Sequence, residues 1–304
     1  MTENLLLAGQ VLCLSLVDCT LAFLSGLLLA ACWIRPGNAL TRGQASVFVF
    51  RSYLCRSALL AVFALCVQFL LLTMVMSGRL SLGAILQSMP DVATTHAGRV
   101  ILSMLSLSVM LAVANLFHLR GHVVIARNPL SAALLVAILF FHSGLGHAAS
   151  DGNFTRAELL QFFHLAAMTL WAGGVFISGI FFLPRLVDGA ASTYTTYLRR
   201  LSNTSAWSAS AAIVSGTLKG WIAIDARLGN LAQPGWSRIL LAKLSFVCIA
   251  LSLGFLHRRW IHDGERKWSA FEKYKLVRTL RVEAICLALV ILLSAWLSSV
   301  DPPE

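Results

Sequence analysis

Eight long apolar runs, separated by short loops that hold nearly all the charge, limit what this chain can become. They fall at roughly Leu5–Ile34, Ser57–Met76, Val100–Leu119, Leu130–Leu145, Leu159–Leu183, Ser202–Ile222, Ile239–Leu256 and Val282–Val300. About 20 apolar residues cross the hydrocarbon core of a bilayer as a helix. The runs are continuously apolar, whereas barrel strands alternate over about 10 residues. Only 12% of the 304 residues are charged, against roughly a quarter in soluble domains, so charge is too scarce to cover a soluble surface. The sequence therefore predicts an all-α membrane protein, a polytopic bundle of about eight transmembrane helices. The first run is expected to be a membrane helix rather than a signal peptide, because Glu3 and no Lys or Arg precede it and it is too long for an h-region.

The loops also predict an orientation. Seventeen of the 24 Lys and Arg residues flank the loops after the first, third, fifth and seventh runs, and five lie on the other side. By the positive-inside rule the basic side is cytoplasmic, which puts both termini outside. The charged segment His257–Arg281 is expected to lie along the anionic inner leaflet. The net charge of +11 is thus read as topology, and no nucleic-acid partner is expected. The loop His147–Arg156 divides the chain into two four-helix halves, residues 1–150 and 151–304, without a recognisable repeat between them.

The chemistry-bearing residues are unevenly placed. His118, His122, His257 and His262 fall on the cytoplasmic side and read as ordinary interfacial histidines. His96, His142, His147 and His164 converge on the outer side, and an ionisable residue at membrane depth is a functional candidate. In the fifth run, Gln161, His164, Met168 and Trp171 follow offsets of three, four and three, so they share one helical face. Imidazole suits copper and a thioether favours Cu(I), so His164 and Met168 form a candidate ligand pair, with His142, His147 and His96 as further candidates. Met168 also reads as core filler.

Gly173 and Gly174 read as packing residues. Asp18, near the middle of the first run, reads as the partner of Lys219 or Lys243, and Glu283 as the ion-pair partner of Arg278 or Arg281. The seven cysteines form no CxxC pair and read as small buried side chains. No P-loop, GxSxG, HExxH or kinase pattern occurs, so neither an enzyme nor an ATP-driven pump is expected.

Several segments resemble, in order, the copper resistance protein D (CopD) family of bacterial inner-membrane proteins. His164-Leu-Ala-Ala-Met-Thr-Leu-Trp171-Ala-Gly-Gly174 is similar to the family's H-x-x-A-x-x-x-W-x-G-G pattern, and His147-Ala-Ala-Ser-Asp-Gly precedes it. Ser215-Gly216, the stretch Trp236–Lys243, Arg278-Thr-Leu-Arg281-Val-Glu283 and Pro302-Pro303 resemble later family segments. Thr95-His96-Ala-Gly98-Arg99 resembles a T-x-x-G-R segment, although relatives often carry Tyr or Phe where His96 stands.

The resemblance implies a multi-pass protein of the bacterial inner (plasma) membrane that moves copper inward, as Cu(I) or Cu(II), alongside a periplasmic copper carrier of the CopC type. Two other readings remain open at this stage. One is a b-type haem electron-transfer protein with His142 and His164 as axial ligands; the other is a docking platform for the carrier that does not transport. Oligomeric state is not legible.

Overall fold

A computed structural model describes residues 2–33, 44–78, 81–118, 129–145, 155–186, 191–225, 234–263 and 268–299. His147 and the boundary between the two expected halves lie outside the described residues, as does His122. The described residues form helices α1 (Thr2–Trp33), α2 (Gln44–Ser77), α3 (Leu82–Thr94), α4 (His96–His118), α5 (Pro129–Ser143), α6 (Arg156–Phe176), α7 (Leu183–Leu186), α8 (Ala191–Asp225), α9 (Pro234–His262) and α10 (Ala270–Ser299). A π-helical stretch, Ile177–Phe182, joins α6 to α7. The protein is all-α and polytopic, and among the described residues the eight apolar runs are helical, the fourth ending in a turn at Gly144 and Leu145.

Among the described residues six helices are long and apolar enough to cross a membrane, and α5 is apolar but shorter, at 15 residues. The 35-residue α8 has ample length but a Ser- and Thr-rich sequence. The sequence reading missed α3, which is short and carries Pro90 in its interior while burying Ile85 and Val92. Proline removes one backbone donor from such a helix. Gly78 ends α2 with φ +63° and its N–H meets Met74 O at 3.1 Å, the left-handed terminator that glycine adopts without strain.

Helix α1 is the axis of the bundle, packing along α6 and α2 and touching α5 and α10. Its meeting with α6 is a backbone contact. A Cβ on Gly26 would overlap Gly173 O, and one on Gly173 would overlap Ala22 O, so the packing role expected of Gly173 holds. Small residues permit such approach in membranes, where dispersion replaces the hydrophobic effect between helices.

One end of the bundle gathers the end of α1, the π-helical stretch, the start of α8, the end of α9 and the start of α10. There Arg200 Nη1 donates to Trp33 O at 2.8 Å, Arg281 Nε to Gly179 O at 3.2 Å, and Arg258 Nη1 to Asn203 Oδ1 at 3.2 Å. Arginines thus satisfy carbonyls that helix ends and the widened π turn leave open. Ser178 Oγ and Tyr197 Oη lie 3.0 Å apart, and the Tyr197 ring stacks on Phe182 at 5.4 Å. These segments are the ones the Lys and Arg distribution assigns to the cytoplasmic side.

Candidate functional site

The site is built on α6. Thr155 caps the helix by accepting from Glu158 N at 3.2 Å, with Glu158 in the first turn, a Thr-x-x-Glu start that the local sequence dictates. From that start the spacing Gln161, His164, Met168, Trp171 lays one face along the helix. That face turns toward α8 and α10, and three of its four side chains have polar partners there.

Gln161 Oε1 accepts from the Lys219 ammonium of α8. One turn on, His164 Nδ1 lies 3.1 Å from Ala212 O and 3.0 Å from Ser215 Oγ. Ser215 Oγ itself donates to Ala211 O at 2.6 Å. Both neighbours of Nδ1 are therefore acceptors, which places the imidazole proton on Nδ1 and the lone pair on Nε2. Nε2 has no hydrogen bond among the described residues. This is the arrangement that metal-ligating histidines use, with the remote nitrogen anchored and the other free. Met168, half-buried against the core, follows by one turn. Gly216 brings α8 close, since a Cβ there would sit 3.1 Å from His164 Cε1. Lys219 and Lys243 stand within electrostatic range of the imidazole.

His142 goes elsewhere. Its Nε2 pairs with Asp18 Oδ1 of α1, so the partner of Asp18 is His142 and not a lysine. Lysine lost this role because Lys219 is held by Gln161 on the far side of α6. His142 is buried, and its Nδ1 has no partner among the described residues. His96, exposed, places Nε2 3.1 Å from Gly144 O just beyond α5. Among the described residues no three His, Cys, Asp or Glu side chains gather as a metal cluster. His164 and Met168 are brought together by helical register, whereas His142 and His96 have other partners.

At the opposite end of the same face, Trp171 Nε1 donates to Glu283 Oε1 at 3.4 Å. Glu283, 2% exposed, is paired through Oε2 with His257 Nδ1 at 2.9 Å. The expected Arg278 or Arg281 partner is not used, and His257 is buried rather than interfacial. The reason is register: Arg281 precedes Glu283 by two residues and Arg278 by five, spacings that point away around a helix. Ser269 and Glu272 form a reciprocal cap at the start of α10, with Ser269 N to Glu272 Oε2 at 3.2 Å and Glu272 N to Ser269 Oγ at 3.3 Å, and this fixes the register of Thr279 and Glu283. Pairing between α9 and α10 leaves no signal in a single sequence, so this cluster was not foreseen.

In comparison with known proteins, a family model described as copper resistance protein D matches residues 195–297. That span covers α8 from its fifth residue, Thr195, all of α9 and nearly all of α10. No curated protein and no solved structure matches the chain.

Proposed function

We propose, from the match of residues 195–297 to the copper resistance protein D model and from the geometry of α6, that this membrane protein is copper-resistance-related and transports copper inward. Copper is received at the outer end of α6 by His164 Nε2 and Met168 Sδ, and no ATP is consumed. The carrying observation is the fixed tautomer of His164, whose Nδ1 proton is shared by Ala212 O and Ser215 Oγ. His147, outside the described residues, is a further ligand candidate from the sequence, and a periplasmic carrier of the CopC type is the proposed donor.

Two considerations favour Cu(I) as the cargo. The thioether is a soft ligand, and the ammonium groups of Lys219 and Lys243 repel a doubly charged ion twice as strongly as a singly charged one. The haem reading has weaker geometric support. His142 turns to Asp18 on α1 while His164 turns to α8, so the two do not face a shared space.

The test is cytoplasmic copper in fractionated cells that lack their own copper uptake, comparing wild type with His164→Ala and Met168→Ala at matched expression. Import through this site predicts a rise with wild type that His164→Ala abolishes and Met168→Ala weakens. No rise, with copper still bound by purified protein, would instead identify a docking platform. No rise and no binding would return the haem reading, which a reduced Soret band would then establish.

A further inference from the structure

The inner cluster has properties that a merely structural ion pair does not need. His257 lies between two partners on α10: Nδ1 faces Glu283 Oε2 at 2.9 Å and Nε2 faces Thr279 Oγ1 at 2.8 Å. An ionised carboxylate only accepts, so beside one Nδ1 carries a proton. The Thr279 hydroxyl has a choice. It can donate to Lys275 O at 3.1 Å or Leu276 O at 3.0 Å, and then its oxygen accepts from Nε2–H and His257 is an imidazolium. It can instead turn its proton toward Nε2, and then His257 is neutral. Both wirings satisfy both ring nitrogens, they differ by one proton, and no heavy atom moves between them. Buried polar groups usually allow one wiring only, because the other leaves an orphan.

A cavity of about 210 Å³ adjoins this cluster, lined among others by Trp171, Ser202, Ser205, His257, Arg258 and Glu283. It is wide enough to admit water, and its lining sets the hydroxyl, carboxylate and guanidinium groups among apolar side chains such as Val175, Leu251 and Phe255. Among the described residues the charged groups around His257 are few. On α9 there is Arg258, engaged with Asn203. On α10 there are Glu283, Lys275, whose Nζ lies 5.3 Å from the Trp260 ring, and Arg281, committed to Gly179 O. From α6 comes the Trp171 N–H, and from α8 the cavity receives the hydroxyls of Ser202 and Ser205.

Trp171 links this end to the other. It donates to Glu283 and lies seven residues, about 10 Å along the helix, from His164 on the same face of α6. A shift of α6 on cargo binding at His164 would change the donor set of Glu283.

We propose that His257, wired to Glu283 and Thr279 beside the cavity, is the proton-binding site of a proton-coupled copper transport cycle. One proton passes from a cavity hydronium to His257 Nε2, leaving water, as Thr279 turns its hydroxyl to the backbone; release reverses both movements. The proposal rests on the copper-transport reading for its coupling, and on the cluster geometry alone for its proton site.

The experiment uses the full chain in proteoliposomes loaded with a pH-sensitive dye and supplied with Cu(I), with and without an imposed pH gradient. Wild type is expected to move protons with copper and to respond several-fold to the gradient. Thr279→Val keeps the side-chain shape and removes both wirings at Nε2. It is expected to bind copper as wild type does and to lose both the proton signal and the gradient response, and Glu283→Gln is expected to do the same. Wild-type copper flux that ignores the gradient, or a Thr279→Val protein that keeps the gradient response, overturns the proposal.

The proton site is read separately, without copper, from infrared difference spectra of lipid-reconstituted protein on acidification. A histidine ring signal present in wild type and missing in Thr279→Val supports it even if wild type moves no copper, in which case only the transport reading falls. Identical spectra overturn it.

Discussion

Replacing Gly173 by Ala tests the central packing contact of the bundle, because its neighbour supplies the control. A Cβ at Gly173 would overlap Ala22 O and stand 2.7 Å from Gly26 N. Both obstacles are backbone, so no rotamer change relieves them and α1 must move away from α6. Inserting a methyl into a packed interior costs about 1–3 kcal/mol, and rigid obstacles place this site near 3. Alanine's better helix propensity returns about 1 kcal/mol, for a net loss of about 2. A Cβ at Gly174 would meet Leu201 Cδ1 at 3.5 Å, an ordinary contact with a flexible side chain. The same propensity gain makes Gly174→Ala neutral or stabilising by up to about 1 kcal/mol. The propensity term cancels between the variants, leaving a difference of about 3 kcal/mol, roughly 150-fold in the folded-to-unfolded ratio. Unfolding in mixed micelles of rising SDS content, followed by tryptophan fluorescence, measures it. Coincident unfolding curves for the two variants would refute backbone contact between α1 and α6 at Gly173.

Three further outcomes follow from contacts described above. Asp18→Ala leaves buried His142 without a bonded nitrogen among the described residues and should cost about 3–5 kcal/mol in the same unfolding assay; adding His142→Leu should recover most of it, and an unrecovered double variant would argue against a paired role. Tyr197→Phe removes the 3.0 Å bond to Ser178 inside the π-helical stretch and should cost about 1 kcal/mol, with a loss beyond about 3 indicating that the ring position, not the hydroxyl, was disturbed. All seven cysteines are free thiols, so reductant should leave the unfolding midpoint and the mobility on non-reducing gels unchanged, and a shifted band would contradict this.

The helices were legible because a bilayer enforces continuous apolar length, and each of the eight runs falls on a helix among the described residues. The face of α6 was legible too, since spacing alone puts Gln161, His164, Met168 and Trp171 in line. What spacing does not carry is the identity of a partner on another helix. Asp18 was matched to a lysine by charge, but the helix beside it at that depth is α5, with His142. Glu283 was matched to Arg278 and Arg281 by closeness along the chain, but those spacings diverge around a helix, and the neutral-looking His257 and Trp171 from other helices close the site. Helix α3 escaped notice because its 13 residues are too short to cross a bilayer and a proline, Pro90, stands in its interior.

The contact between Trp171 and Glu283 carries a lesson about boundaries. The stretch that shares a family pattern, 195–297, holds Ser215, Lys219, His257, Thr279 and Glu283. Their counterparts His164, Met168 and Trp171 all lie upstream of it, and so does Trp33, whose carbonyl Arg200 covers. That segment alone would carry the α8 partners of Gln161 and His164 without their α6 side, and the Glu283, His257 and Thr279 cluster without Trp171. A truncated gene product beginning near residue 195 would expose to lipid the carboxylate and imidazole that α6 now covers. The two polar clusters are therefore wider than the matched span, and α6 is the element that completes both of them.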